Sequence, residues 1–191
     1  MASTKDQYLE VLKECKEIFV RKNEDYGTSW RLFRPSSLTD QLFIKAQRIR
    51  NVEESGKNNV GDDLRSEFLG IVNYSLMALI QLDLQMQSSN ALAELASPEK
   101  EKAEQSMKEI IRMYDEWGSK TMNLMLLKNS DYSEVWREMR ISSFTDMILV
   151  KLARIKQIED NSGKTNVSEG VDSNYQDIMN YAIFALIRMS E

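Results

Sequence analysis

Residues 22–30, Lys-Asn-Glu-Asp-Tyr-Gly-Thr-Ser-Trp, return at 128–136 as Lys-Asn-Ser-Asp-Tyr-Ser-Glu-Val-Trp. The offset of 106 residues continues downstream: Arg31 falls on Arg137, Arg34 on Arg140, Ser36-Ser37 on Ser142-Ser143 and Thr39-Asp40 on Thr145-Asp146. Lys45, Arg48, Ile49 and Glu53 then meet Lys151, Arg154, Ile155 and Glu159. One inserted residue moves the offset to 107, where Gly56-Lys57, Asn59-Val60 and Asn73-Tyr74 meet Gly163-Lys164, Asn166-Val167 and Asn180-Tyr181. The chain is an internal duplication, with repeats over residues 1–95 and 96–191 expected to pack as one compact pseudo-symmetric domain. Positions that keep charged and aromatic residues while their neighbours drift mark a shared framework or a shared site.

Around this motif the pattern is helical. With 29% charged residues and only 2 Pro and 7 Gly in 191 residues, the composition suits long helices better than a sheet with many turns. Tyr8, Val11, Leu12, Ile18 and Phe19 predict a helix over about Thr4–Asn23, broken by Asp25-Tyr26-Gly27. Ser36 and Ser37, after Pro35, are expected N-caps for a helix with the stripe Leu38, Leu42, Ala46, Ile49 and Val52, ending near Ser55-Gly56. Lys57–Gly61 reads as a loop, with Asp62 or Asp63 capping a long helix that carries Phe68, Ile71, Met77, Ala78 and Leu82. Ser88–Pro98 is small and polar, and Pro98 suits the first turn of the next helix. The second copy repeats the plan: a helix over about Pro98–Asn129 with a break or kink at Trp117-Gly118, a short segment at Tyr132–Met139, a helix over Ser143–Asp160, a loop, and a helix from about Val171. The fold class is therefore all-α, a helical bundle of two tandem repeats about a pseudo-two-fold axis.

Composition also removes chemistries. With no histidine and a single cysteine, neither a Cys/His zinc site nor Ser-His or Cys-His nucleophilic catalysis can be built. Cys15, within a helical pattern and without a disulfide partner, reads as a buried thiol. Any chemistry falls to carboxylates, Lys, Arg, Tyr or a hard cation with oxygen ligands. The net charge of −5 argues against direct duplex DNA binding, though a small basic pocket is compatible with it. The N-terminus lacks a signal-peptide core, and the apolar stretch near Ile71–Leu82 is too short to cross a bilayer, so a soluble cytoplasmic protein with no membrane partner is expected. Whether it forms a homo-oligomer stays open.

Three sets of residues could form a site. Lys45 and Arg48, and their equivalents Lys151 and Arg154, are three apart on one helix surface; each pair can grip a phosphate, or pair with carboxylates on a facing helix. In the last helix of the first repeat, Asp63 and Glu67 are spaced to meet one hard cation; Glu67 aligns with Asn174 of the second repeat and Asp177 with Gly70 of the first, so each copy holds one acid of a possible Glu-x-x-Asp pair. Asn73 and Asn180 sit within apolar runs, where a buried amide serves either structure or a ligand. The duplicated motif, finally, joins Lys22, Asp25 and Trp30, and Lys128, Asp131 and Trp136; it could hold a nucleobase on an aromatic face, or close a turn whose aromatic residues plug the bundle. No Gly-rich phosphate loop is present.

These motifs, from Lys22-Asn23-x-Asp25-Tyr26 through Lys45-x-x-Arg48-Ile49 to Glu67 and Asn73-Tyr74, and again from Lys128 to Asn180-Tyr181, resemble the nucleotide-modification-associated domain 1 family in double copy. The resemblance implies association with systems that modify nucleotides or DNA bases. A looser likeness links the acidic and basic helices to all-α pyrophosphohydrolases of the MazG and dimeric dUTPase kind, which bind Mg²⁺ through Glu-x-x-Glu and Glu-x-x-Asp motifs. On that likeness Glu67 and Asp177 are the expected catalytic carboxylates, with Asp25 and Asp131 joining them around Mg²⁺. Lys22, Lys45, Arg48, Lys128, Lys151 and Arg154 would hold the phosphates of a nucleotide or nucleoside triphosphate, and Trp30, Trp136, Asn73 and Asn180 the rest of it. Neither copy of the last helix keeps a full Glu-x-x-Asp, and the competing expectation is a non-catalytic helical binding or scaffold module.

Overall fold

The computed structural model describes residues 3–58, 61, 63–85, 100–164 and 169–191. The first repeat runs α1 (Thr4–Tyr26), a 3-10 turn (Ser29–Leu32), α2 (Pro35–Ser55) and α3 (Leu64–Gln85). The second runs α4 (Lys100–Tyr132), a 3-10 turn (Val135–Glu138), α5 (Ile141–Asp160) and α6 (Val171–Ser190). No strand occurs among the described residues.

Local chemistry sets most of these boundaries. Ser3 and Asp6 form a capping box that starts α1. Gly56, in the left-handed region at φ 64°, closes α2 as expected, and Asp63 starts α3 by accepting the backbone N–H of Arg65 at 3.1 Å. Three expectations need correction. Arg34, not Ser36 or Ser37, is the N-cap of α2, because Pro35 occupies the first helical position, where its fixed φ and missing N–H suit the turn. The equivalent α5 starts earlier than Ser143, at Ile141. Trp117-Gly118 does not interrupt α4: burial of Met113, Tyr114, Trp117, Thr121, Met122 and Met125 on either side outweighs the roughly 1 kcal/mol that one glycine costs a helix. Asp62, Asn59-Val60, Asn166-Val167 and the small polar stretch Ser88–Pro98 lie outside the described residues.

The central helices are α3 and α6, which make the most extensive contact in the molecule; α2 and α5 pack beside them and on each other. Each repeat's first helix leans more on the other repeat's last helix than on its own, α1 on α6 and α4 on α3. α3 is apolar and long enough over Leu64–Leu84 to span a membrane by length and composition, longer than the stretch read from the sequence, but 72% of that window is buried against the other helices.

The pseudo-two-fold shows in paired contacts. Thr39 Oγ1 donates to Glu159 at 2.8 Å, and its equivalent Thr145 to Glu53 at 3.1 Å. Lys156 reaches Asp40 at 2.6 Å, and Arg50 reaches Asp146 at 3.8 Å. Tyr8 Oη donates to Asn180 Oδ1 at 2.7 Å, and Tyr114 Oη to Asn73 Oδ1 at 2.8 Å. Each bond crosses between repeats and each has a mate at the duplication offset, as in the isologous interface of a homodimer.

Candidate functional site

The duplicated motif begins as an indole clamp. At the end of α1, Asn23 donates its Nδ2 to the Phe19 carbonyl at 2.7 Å and accepts Trp30 Nε1 on its Oδ1 at 3.0 Å. Asn129 accepts Trp136 Nε1 at 3.1 Å and donates to Glu134 at 3.2 Å. The seven-residue spacing from Asn to Trp thus satisfies an otherwise buried N–H. Both indoles are buried: Trp30 tilts against Phe19, while Trp136 lies parallel to Phe184 at 4.3 Å and carries the Arg137 guanidinium at 4.4 Å. With a parallel ring and a cation packed on it and only 7% of its surface exposed, Trp136 is engaged mainly within the fold. Asp25 and Asp131, by contrast, are exposed.

Glu67 in α3 and Asp177 in α6 are buried, and each is gripped by two cations. Glu67 accepts Lys45 at 3.1 Å and Arg48. Lys45 reaches it across Gly70, where a Cβ would come within 2.9 Å of the lysine Cε. Asp177 stands at the Gly70 position of the other repeat and accepts Lys151 at 2.6 Å and Lys128, the lysine of the duplicated motif, at 2.9 Å. The acid has moved three residues, about 4.5 Å along the helix, and has exchanged its second cation. What remains differs in turn. Lys22 in the first repeat and Arg154 in the second are exposed and ion-paired to nothing among the described residues. At the vacated acid position Asn174 is fully buried and donates to the Gly170 carbonyl at 2.8 Å, while its Oδ1 has no partner.

Beside Asp177 lies a cleft of about 440 Å³. Its floor is apolar, with Met125, Met139, Phe144, Met147 and Phe184, and its polar rim includes Lys128, Asn129, Asp177, Asn180 and Tyr181. Lys128, Trp136, Asp177 and Asn180 were expected from the sequence and are brought together here; Lys151 joins through its ion pair with Asp177. Arg154, one turn beyond Lys151, lies close enough for its charge to favour the ionised Tyr181 phenol, although burial dominates and pushes that group up to about 12. Several equivalent groups of the first repeat, Lys22 excepted, are internally occupied. Phe19 stands where the second repeat has Met125 and packs on Trp30 and Tyr114, Lys45 and Arg48 both serve Glu67, and the Asn73 Nδ2 donates to the Cys15 carbonyl at 3.1 Å.

The carboxylates expected around Mg²⁺ are not gathered. Asp63 caps α3, Glu67 and Asp177 are each ion-paired, and no group of three or more carboxylate or thiol side chains among the described residues is placed to hold a metal ion. As arranged, these residues do not fit a hard-cation site, which needs several oxygen ligands on one ion.

Sequence reading missed Tyr8 and Tyr114, which orient the two asparagines from across the pseudo-axis. They share the 106-residue offset, so carrying the duplication upstream of Lys22 was the signal that could have found them.

Fold and geometry together define a duplicated all-α protein whose halves share a framework but pair their buried carboxylates with different cations. The chain belongs to the nucleotide modification associated domain 1 family, whose model matches residues 22–82 and again 128–189. No curated protein and no solved structure matches it.

Proposed function

We propose that the second repeat binds a nucleotide in the cleft beside Asp177, as a binding module associated with nucleotide modification. The phosphate is drawn to Lys128, Lys151 and Arg154, and the base lies on the methionine-rich floor. The observation that carries this reading is the charge arrangement beside the cleft: two lysines share one carboxylate, and an arginine that is ion-paired to nothing among the described residues follows one turn after Lys151. The local excess of positive charge sits at the rim of an apolar cavity in a chain that is otherwise acidic, with net charge −5. Methionines suit such a floor because their flexible thioethers adapt to a planar ligand.

Binding is favoured over pyrophosphate hydrolysis because both candidate acids are committed to lysine and arginine partners. A nucleotide phosphate would compete with Asp177 for its two lysines. Titration calorimetry with nucleoside mono- and triphosphates, with and without Mg²⁺, tests this. Binding that weakens at least tenfold in Lys151→Met and is kept or strengthened in Asp177→Asn supports the module. Release of pyrophosphate from a nucleoside triphosphate, lost in Asp177→Asn or Glu67→Gln, would instead assign hydrolysis.

A further inference from the structure

Asn180 carries a donor that the protein does not use. The residue lines the cleft and is only 5% exposed. Its Oδ1 accepts Tyr8 Oη at 2.7 Å, from the helix of the other repeat that packs on α6. No group among the described residues accepts from its Nδ2, and that nitrogen is not among the sealed, unpartnered polar atoms. The equivalent Asn73 fixes the sense of the amide: there Oδ1 accepts Tyr114 Oη at 2.8 Å and Nδ2 donates to the Cys15 carbonyl at 3.1 Å. The second repeat keeps the tyrosine clamp and leaves the amide nitrogen of this cleft-lining residue without an acceptor among the described residues. The cleft's other carboxamide, Asn129, is occupied at both ends, by Trp136 and by Glu134.

Resting on the nucleotide-binding reading above, we infer that Asn180 is a specificity-determining donor, oriented by Tyr8, that selects nucleotides whose base presents an exocyclic oxygen over those with an amino group at the same position. A recessed N–H is reached by a carbonyl oxygen that projects from the ring and offers two lone pairs. An amino group at that place sets donor against donor and leaves a buried polar group unpaired, which is how a polar site rejects an analogue of nearly identical shape. Tyr8 acts as a positioning residue: without its hydroxyl the amide is free to turn its oxygen to the cleft.

The test uses two pairs that differ by oxygen against amino at one position, inosine against adenosine 5′-monophosphate and uridine against cytidine 5′-monophosphate, titrated calorimetrically into the full chain. In whichever pair binds, the oxo nucleotide binds about tenfold tighter. Asn180→Leu brings that ratio to about one, and Tyr8→Phe, which removes a single atom and keeps Asn180, lowers it while both members still bind. Helicity by circular dichroism checks both variants, and Tyr8→Phe alone decides the matter if Asn180→Leu does not fold. Binding of both members with no preference, a preference for the amino nucleotide, or a ratio untouched by Tyr8→Phe overturns the inference and leaves nucleotide binding standing. No binding of any of the four overturns the inference, and no binding of their triphosphates either overturns nucleotide binding with it.

Discussion

At the scale of single residues, this molecule uses one buried carboxylate per repeat to hold two cations, and the choice of cation separates the halves. Glu67 is buried with Lys45 and Arg48 converging on it, so Glu67→Ala removes the carboxylate that two half-buried cations share. That should cost roughly 2 kcal/mol in urea unfolding, below the range for deeply buried pairs because both cations keep some solvent contact. Asn23→Ala and Asn129→Ala each orphan a buried indole N–H and should each cost about 1–2 kcal/mol. The sequence made the repeated Lys, Arg, Asn and Trp visible as a set, because the duplication keeps them. It left open whether Lys45 and Arg48 face a ligand or an acid, since three-residue spacing places both on one face without saying what lies opposite. The offset between Glu67 and Asp177 was legible as a mismatch. Its consequence was not, because only packing shows that Lys128 reaches one acid and Arg48 the other.

At the scale of elements, α2 and α5 cross through a pair of reciprocal bonds, Thr39 to Glu159 and Thr145 to Glu53. Burial, before the neighbouring acids, raises both glutamates above their ordinary value of 4.5. The folded state therefore holds protons that the unfolded chain has released. The stability they contribute is complete below that value and is lost as pH rises through the raised one. Glu53→Gln with Glu159→Gln keeps an acceptor for each threonine and removes the charge. The double variant should melt roughly 1–3 °C higher than the parent at pH 7, a modest effect because both carboxyls keep some solvent. The advantage should shrink toward pH 4, and thermal melts across that range check it; a variant less stable at pH 7 would refute the assignment. Helix existence was readable from period and composition. The starts of α2 and α5 were misplaced because serine's preference for N-cap positions was weighed too heavily: Pro35 opens α2, and α5 opens at Ile141 without a proline.

At the scale of the whole molecule, the first helix of each repeat completes the other repeat, through Tyr8 on Asn180 and Tyr114 on Asn73. Residues 1–95 or 96–191 expressed alone should therefore lack a cooperative unfolding transition as monomers. Co-expressed, the two should associate and recover one; a half that unfolds cooperatively alone as a monomer would contradict this. The duplication told the sequence reader that there are two halves, and symmetry suggested two sites. The side chains argue for one, because Phe19 and the Asn73 amide are used internally in the first repeat where Met125 and Asn180 line the cleft of the second. The stoichiometry of nucleotide binding, measured by calorimetry on the full chain, tests that claim most directly. The expected result is one nucleotide per chain, with binding lost in Lys151→Met and kept in Lys45→Met. Two per chain, or loss of binding in Lys45→Met with Lys151→Met unaffected, would contradict it.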